Sequence, residues 1–169
     1  NPATHTSFNN IPNANEMSWY VVYGKPRWDG DELWTTMGHL YKGGMWFKKK
    51  SVLQAENHYN TEKFDHGSLD LRTKPSQAIN NNLSIKTLGA PSAADANNYF
   101  YLPALGFYRL GSQSYVGIEG YYWTSSANPS WWLREYAYYL YFTNDGVSVG
   151  SNQRDYGYRA QPFSDFGDN

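Results

Sequence analysis

A series of short aromatic or β-branched runs, separated by turn residues, fills the last third of this chain and constrains its fold more than any other feature. The runs lie at residues 99–108, 120–126, 135–142, 146–150 and 158–163. Turn formers separate them, namely Gly111-Ser112, Asn128-Pro129, Asn144-Asp145-Gly146 and Asp155-Tyr156-Gly157. This composition predicts an antiparallel meander, and Asn-Asp-Gly predicts a tight hairpin that uses positive φ angles.

The third and fourth runs are predicted to form a hairpin with two different faces, because successive side chains of a strand point to opposite sides. Tyr138, Leu140 and Phe142 share one side, and Val147 and Val149 suit the same side across the turn. We expect this side to face the core. The other side is expected to be an exposed recognition surface, since it combines tyrosine with small polar residues. It carries Tyr139, Tyr141, Ser148 and Gly150.

The N-terminal part predicts one helix, at residues 14–23. Asn13 is its expected cap, Glu16 completes a capping box, and Gly24 is the expected stop. Its buried stripe should consist of Met17, Tyr20 and Val21. Residues 31–50 are ambiguous, because 33–37 favour a strand while Gly43-Gly44 interrupts any long helix.

The length of 169 residues fits one domain. We expect a linker or tail at 1–13, a domain at 14–163 and a C-terminal tail at 164–169. Residues 54–98 are polar and Asn-rich, which predicts long irregular connections with one short helix after Pro91. Because the chain begins Asn1-Pro2 without Met, we expect it to be a piece of a longer or processed protein.

Composition and charge argue against several functional classes. The chain contains no cysteine, which excludes disulfides, thiolate metal sites and thiol nucleophiles. Its net charge is −1, so the chain has no overall positive potential that would attract the phosphates of nucleic acid. The Lys48-Lys49-Lys50 run is expected to be solvated. No apolar run is long enough to cross a membrane, and direct membrane insertion is not expected.

No metal, cofactor or catalytic centre is predicted from residue spacing. The histidines His5, His39, His58 and His66 have no metal-ligand spacing, although His58 and His66 could gather an ion with Asp65 and Asp70. Asp29, Asp31 and Glu32 could in principle serve glycoside hydrolysis, but exposed acids in a Gly-containing loop are the simpler interpretation.

Aromatic residues are unusually frequent, at 18% against 17% charged residues. Tyr and Trp offer a large contact area with a polar tip, which suits half-wet binding surfaces. Trp131-Trp132, followed by Arg134, has the composition of a binding hot spot. Packing of one or both tryptophans is the alternative, because adjacent residues of a strand point to opposite faces.

Five sequence blocks together resemble the C-terminal half of bacterial C-type-lectin-like domains. They are L-P-A-x-G-x-Y at 102–108, G-Y-Y-W-T-S-S at 120–126, A-Y-Y-L-Y-F at 137–142, G-V-S-V at 146–149 and R-x-x-G-Y at 154–158. Such domains occur in formylglycine-generating-enzyme-like proteins, in variable proteins of diversity-generating retroelements, and in gut bacterial surface and pilus-tip proteins. The N-terminal half resembles the last of these groups more weakly.

The resemblance implies an α+β, C-type-lectin-like fold, with two helices flanking a small twisted antiparallel sheet and long loops. It also implies a ligand surface on the last strands and their loops, while Arg154 is expected to be structural. The implied ligand-binding residues are Trp131, Trp132, Arg134, Tyr139, Tyr141, Asn144, Asp145, Ser148, Gly150, Ser151, Asn152, Asp155 and Tyr156.

Two departures from related proteins limit what the resemblance implies. Two short segments match calcium-lectin motifs in part. Gln161-Pro162 is followed by Phe163 where the motif has an oxygen ligand, and Asn144-Asp145 is preceded by Thr143 where the motif has Trp. Calcium-dependent sugar binding is therefore not expected. Formylglycine-generating chemistry depends on cysteine, which this chain lacks.

The leading hypothesis is a non-enzymatic adhesin or receptor-binding module on a bacterial surface, pilus tip or phage-like particle. It would be extracellular, would belong to a longer surface-anchored chain or assembly, and would bind protein or carbohydrate. A structural subunit and a glycosidase are the alternatives. A diversified segment is a variant of the first hypothesis, because Tyr, Asn, Asp, Ser and Gly are the products of adenine-directed mutation of Asn codons.

Overall fold

A computed structural model describes residues 10–75, 79–81 and 89–163, apart from the side chains of Asn81 and Trp131. Its helices are α1 (Ala14–Tyr23) and α2 (Lys50–Ala55), with short 3₁₀ turns at Ala96–Asn98 and Trp131–Leu133. Its strands are β1 (Arg27–Thr36), β2 (His39–Lys48), β3 (Ile79–Asn81), β4 (Tyr99–Pro103), β5 (Phe107–Arg109), β6 (Ser112–Ser114), β7 (Gly120–Ala127), β8 (Tyr136–Thr143) and β9 (Gly146–Gln153).

The coarse α+β class is confirmed, with antiparallel pairing in every sheet. One sheet has the order β1-β2-β4, a second has the order β3-β9-β8-β7, and β5 pairs with β6 alone. Only part of the predicted meander forms: residues 120–153 make β7-β8-β9 of the second sheet, whereas 99–103 form β4 of the first sheet and 158–163 form no strand. The tight turn forms as expected at Asn144-Asp145, but no residue of this turn has a positive φ. Instead, the Asp145 backbone N–H donates to Thr143 Oγ1 at 3.0 Å.

Helix α1 has the bounds that the sequence predicts. Asn13 accepts a hydrogen bond from the Glu16 backbone N–H at 2.9 Å, and Glu16 accepts one from the Asn13 N–H at 3.1 Å. Both bonds satisfy N–H groups that have no partner within the helix. Met17, Tyr20 and Val21 are buried as expected, and α1 packs against the second sheet as well as β2.

The core lies between α1 and the two larger sheets. The hairpin face predicted to be apolar is confirmed as part of it, because all its members are at most 4% exposed. Tyr122 links the sheets, since its ring is fully buried and its hydroxyl donates to the Pro103 carbonyl at 2.6 Å. The core includes Met17, Tyr20, Val21, Met45, Phe47, Phe100, Leu102, Tyr122, Tyr138, Leu140, Phe142, Val147, Val149 and Phe163.

The described part of the 54–98 region is irregular, as expected, except for β3 and the Ala96–Asn98 turn. Buried Asn15 explains how this polar stretch is held in place. Its side-chain amide donates to the Thr61 carbonyl and to Asp70, and its oxygen accepts from the Leu71 N–H at 2.8 Å. Trp19 adds a bond from its indole N–H to the Lys63 carbonyl.

The body of the domain begins before residue 14. Ile11 is 5% exposed, and the Pro12 carbonyl accepts from the Ser125 N–H at 2.9 Å. Residues 10–13, which were expected to belong to a tail, are therefore docked on β7. Residues 1–9 and the expected tail at 164–169 lie outside the described residues.

The β1-β2 hairpin was ambiguous in the sequence and is the longest ribbon of the fold. Between the pairs Asp29↔Gly44 and Leu33↔Lys42, β1 has two more residues than β2, which makes a bulge. The buried Asp29 carboxylate fixes the bulge by accepting hydrogen bonds from the N–H groups of Asp31 and Glu32 and from the Trp46 indole. Beyond the bulge, residues 33–42 form a projecting segment that we call the arm.

Candidate functional site

The outer face of the second sheet is the face predicted to be a recognition surface. Residues that pair across neighbouring strands form two rows on it. One row contains Tyr121, Tyr141, Ser148 and Asn80, and the next contains Trp123, Tyr139 and Gly150. The face assignment of Tyr139 and Tyr141, opposite Leu140 and Phe142, is therefore confirmed.

The outer face is half-buried, in contrast to the expected open surface. Residues 154–161, which we call the return segment, leave β9, cross this face and bond to the other edge of β7. The Arg159 backbone N–H donates to the Tyr121 carbonyl, and the Arg159 carbonyl accepts a hydrogen bond from the Trp123 N–H. The Tyr158 ring lies 4.5 Å from Trp123 and 5.0 Å from Tyr139, measured between ring centres.

The covered side chains form a second aromatic cluster outside the main core. Phe107 of β5 packs edge-on to Tyr121 at 5.1 Å and also contacts Tyr156 and Tyr158. Arg109 lies over the Tyr156 ring at 4.3 Å, an arrangement that stabilises a partly buried guanidinium. Tyr156 is consequently half-buried, and its ring is part of this cluster.

Glu119 is the acidic group of this cluster. It accepts hydrogen bonds from the hydroxyls of Tyr121 at 2.5 Å and Tyr141 at 3.2 Å. Burial, with a further effect from Glu119, raises the pKa of Tyr141 to about 12. Burial also raises the pKa of Tyr158 to about 12. These hydroxyls therefore remain protonated donors at neutral pH.

A pocket of about 220 Å³ opens where the outer face meets the β8-β9 turn. Its lining combines Tyr141 with residues that carry amide, hydroxyl and carboxylate groups, and an apolar wall with a few polar groups is the usual composition of a ligand pocket. The residues come from three neighbouring strands and one tight turn, so a hydrogen-bonded backbone positions them. They are Asn80, Tyr141, Thr143, Asp145, Gly146, Val147 and Ser148.

Asn80 and Thr143 were not among the residues implied by sequence. Asn80 belongs to an Asn-Asn-Asn run that is typical of loops and has no β-branched residue to indicate a strand. It is brought to the pocket because β3 pairs with β9 and places Asn80 opposite Ser148. Thr143 could have been found from the hairpin, since it directly precedes the turn residue Asn144.

The remaining predicted residues gather at the opposite end of the same sheet. Trp132 is 65% exposed and Arg134 is exposed, both near the start of β8. Asp155 is exposed beside them, while Asn152 lies on the outer face and donates to the Tyr158 hydroxyl. Arg154 is exposed, its backbone N–H donates to the Glu135 carbonyl, and its guanidinium lies 3.5 Å from the Tyr136 carbonyl. The Trp131 side chain lies outside the described residues.

The predicted site therefore separates into two groups at the ends of β9, while Tyr139, Gly150 and Tyr156 belong to the partly covered face between them. Strand β9 has eight residues and spans roughly 23 Å between Asn144-Asp145 and the Trp132 end. Ser151 belongs to neither group, because it pairs with Tyr138 on the inner side and its hydroxyl accepts from the Asn128 side chain at 3.1 Å. The prediction that Ser151 faces outward is therefore wrong. The alternation of side chains along β9 already places it on the inner face.

The acidic and histidine candidates have local structural partners. The Asp29 carboxylate accepts hydrogen bonds from the backbone of the bulge, and the Asp70 carboxylate accepts hydrogen bonds from Arg72. His66 pairs with its neighbour Asp65, and the His58 ring stacks on Tyr23 at 3.9 Å. Within the described residues, no three His, Cys, Asp or Glu side chains are grouped as a metal site would require.

Two further results complete the description of the chain. In the described residues, no helix has the length and apolar character needed to cross a membrane. In comparisons with known proteins, no family model, no curated protein and no solved structure matched the chain.

Proposed function

We propose that this chain is a ligand-binding module of C-type-lectin-like fold, displayed on a bacterial surface, pilus tip or phage-like particle as part of a longer protein. The five sequence blocks support the proposed fold, because four of them fall on strands, at β4-β5, β7, β8 and β9, and the fifth falls on the return segment. The α+β class and the antiparallel meander agree with it. The proposed ligand is a protein or a carbohydrate.

The pocket at the β8-β9 turn is the observation that carries the binding proposal. Its donors and acceptors stand on paired strands, so they are held in place before a ligand arrives, which lowers the entropic cost of binding. The Tyr141 ring supplies an apolar wall, and Ser148, Thr143 and Asn80 supply hydrogen-bonding groups. Trp132 and Arg134 at the other end form a second contact region for a ligand large enough to span the sheet.

A diversified C-terminal segment is part of the proposal. Tyr141, Ser148 and Asp145, the pocket residues that belong to this segment and face the pocket with their side chains, are all residue types that adenine-directed mutation of Asn codons can produce. The neighbouring inner residues Leu140 and Phe142 are fully buried, so a diversified segment would have to spare them to keep the core intact. Sequencing of the gene's neighbourhood tests this part, since a diversified segment requires a template repeat and a reverse transcriptase nearby.

Binding is tested by probing a protein and glycan array with the parent chain and two matched variants. Ser148→Trp fills the pocket from β9, whereas Ser112→Trp places the same side chain at an exposed position of the β5-β6 hairpin, outside both contact regions. We expect Ser148→Trp to weaken binding by about 2 kcal/mol or more, as loss of a hot spot does, and Ser112→Trp to preserve it. Loss of binding only in Ser112→Trp, or no array signal with a folded parent, would contradict the proposal.

A further inference from the structure

The arm exposes large apolar side chains that do not pack in the core of the domain. Leu33 is 61% exposed, Leu40 65% and Met37 88%. The cross-strand pairs Leu33↔Lys42 and Thr35↔Leu40 put both leucines on one side of the ribbon. Trp34 and Tyr41 stack on the other side at 5.1 Å, where both are half-buried.

The arm is nevertheless held in a defined direction. The Asp29 carboxylate fixes the bulge at its base, and the Trp34 indole N–H donates to the Gly43 carbonyl at 2.8 Å. Gly43 also contacts the backbone at Gly117 so closely that an added Cβ would lie 2.5 Å from the Gly117 carbonyl oxygen. A two-stranded ribbon is marginally stable alone, so these contacts at the base keep an otherwise unsupported hairpin in place.

The outer edge of β1 in the arm is open for strand pairing. In the sheet order β1 has only β2 as a neighbour, and no described residue hydrogen-bonds to the backbone of Leu33–Thr36 from the outside. Natural edge strands are usually protected by charges, proline or a bulge. This edge reads Leu-Trp-Thr-Thr, and the bulge and the acids Asp31 and Glu32 lie before it.

We propose that two copies of this chain associate through antiparallel pairing of their β1 edges, which joins the two three-stranded sheets into one. A second copy fits because the edge is complementary to itself about a two-fold axis at Trp34. Leu33 then lies opposite Thr35 of the other copy, and Glu32 lies opposite Thr36, so no like charges meet.

The same register continues the aromatic stacking of each arm. Trp34 of one copy lies opposite Trp34 of the other, and each already stacks on its own Tyr41. Four aromatic rings would form one row across the joined ribbons, and such cross-strand aromatic pairs stabilise sheets. On the other side, the pairing covers Leu33 with the neighbouring Thr35.

Analytical ultracentrifugation over a wide concentration range tests the proposal with the parent chain and two double variants. Leu33→Lys/Thr35→Lys changes only exposed side chains and places cations opposite each other in the paired edge, so it should weaken the dimer by about tenfold or more. Tyr108→Lys/Leu110→Lys is the matched control on the β5-β6 hairpin, where both residues are also exposed. It should leave the dimer unchanged. A parent that stays monomeric, or a dimer lost only in the control, would overturn the proposal.

A cross-linking experiment tests the register independently. Because the chain has no cysteine, a Leu33→Cys/Thr35→Cys variant carries thiols only at these two exposed positions, where each would face the other position of the second copy while Trp34 and its bond to Gly43 stay intact. Directly opposed strand positions lie within disulfide reach, so mild oxidation should give a covalent dimer. Leu40→Cys, on the strand away from the edge, should not cross-link. Equal cross-linking of both variants would contradict the proposed pairing.

Discussion

Phe142 and Tyr139 show how two aromatic residues of one strand have different structural roles. Phe142 is completely buried between Trp28, Phe47 and Tyr122, with ring centres 6.0 to 6.4 Å away. Tyr139 is half-buried and contacts Trp123 and Tyr158 in the outer aromatic cluster. The alternation of side chains along β8 correctly predicted that Phe142 lies on the inner face and Tyr139 on the outer face. It could not show that the return segment covers one of them, because that contact depends on the path of the chain after β9.

These two environments predict different losses of stability. Phe142→Ala should lower the free energy of unfolding by about 3–5 kcal/mol, since it leaves a cavity in the core. Tyr139→Ser should cost about 1–2 kcal/mol, more than an open surface residue would, because it removes ring contacts in the covered cluster. Urea denaturation of both variants and the parent measures these values. Equal losses would show that the two clusters are packed to the same degree.

Asp70 gives a prediction for the acid range. A hydrogen bond from Arg72 is the main cause that lowers the pKa of Asp70 to about 2, and Asn15 contributes another bond. A lowered pKa in the folded state stabilises the fold above the unfolded value near 3.8, and this stabilisation is lost as the pH falls toward 2.

The Asp70→Asn variant should therefore lose about 1 kcal/mol at neutral pH, after allowance for the partial exposure of the pair. It should also lose part of the parent's pH dependence between about pH 4 and pH 2. Thermal unfolding at a series of pH values measures both effects. An unchanged slope in that range would mean that Asp70 does not couple folding to protonation.

At the scale of elements, the helix was easier to predict than the hairpins. Asn13, Glu16 and the apolar spacing of α1 are local signals, and the structure places the helix on the expected residues. The β1-β2 ribbon has weak local signals, because Gly43 and Gly44 resemble a break and Met37-Gly38 is an unusual turn. Its stability depends on β4, to which it pairs through residues more than fifty positions away. Such non-local pairing is not visible in the sequence.

Two hairpin turns carry an apolar residue where a polar one would suit the backbone better. Met37 and Leu110 have φ values of 48° and 50°, and each is followed by a glycine with positive φ. Asn is favoured over bulky residues at this first turn position. Leu110 is 96% exposed and Met37 is 88% exposed, so neither gains burial in compensation.

Met37→Asn and Leu110→Asn should each raise the free energy of unfolding by about 0.5–1 kcal/mol. Denaturant titration of the single variants and of the double variant measures the gain, and the two effects should add, since the turns belong to separate hairpins. A loss of stability in either variant would mean that the apolar side chain packs on the domain in solution.

At the scale of the whole molecule, the sequence predicted the α+β class and an apolar hairpin face inside, and the structure confirms both. The candidate site was predicted in part, because the β8-β9 turn and Ser148 do line a pocket while Ser151 faces inward. Asn80 could not be foreseen, since only the pairing of β3 with β9 brings it there. The implied residues lie toward both ends of one sheet, because the length of β9 separates the β8-β9 turn from Trp132.

The position of the return segment also governs the order in which the fold can be completed on the ribosome. Strands β7 to β9 can pair as soon as they emerge, but their tyrosine-rich side stays uncovered until residues 154–161 follow. Helix α1 must wait as well, because its partners β7 and β9 are synthesised about a hundred residues later. Contacts this distant in sequence slow folding. The apolar face of α1 therefore stays uncovered until β7 to β9 have been made, and chaperone protection of that interval would matter more for the yield of this chain than for that of a locally folding domain.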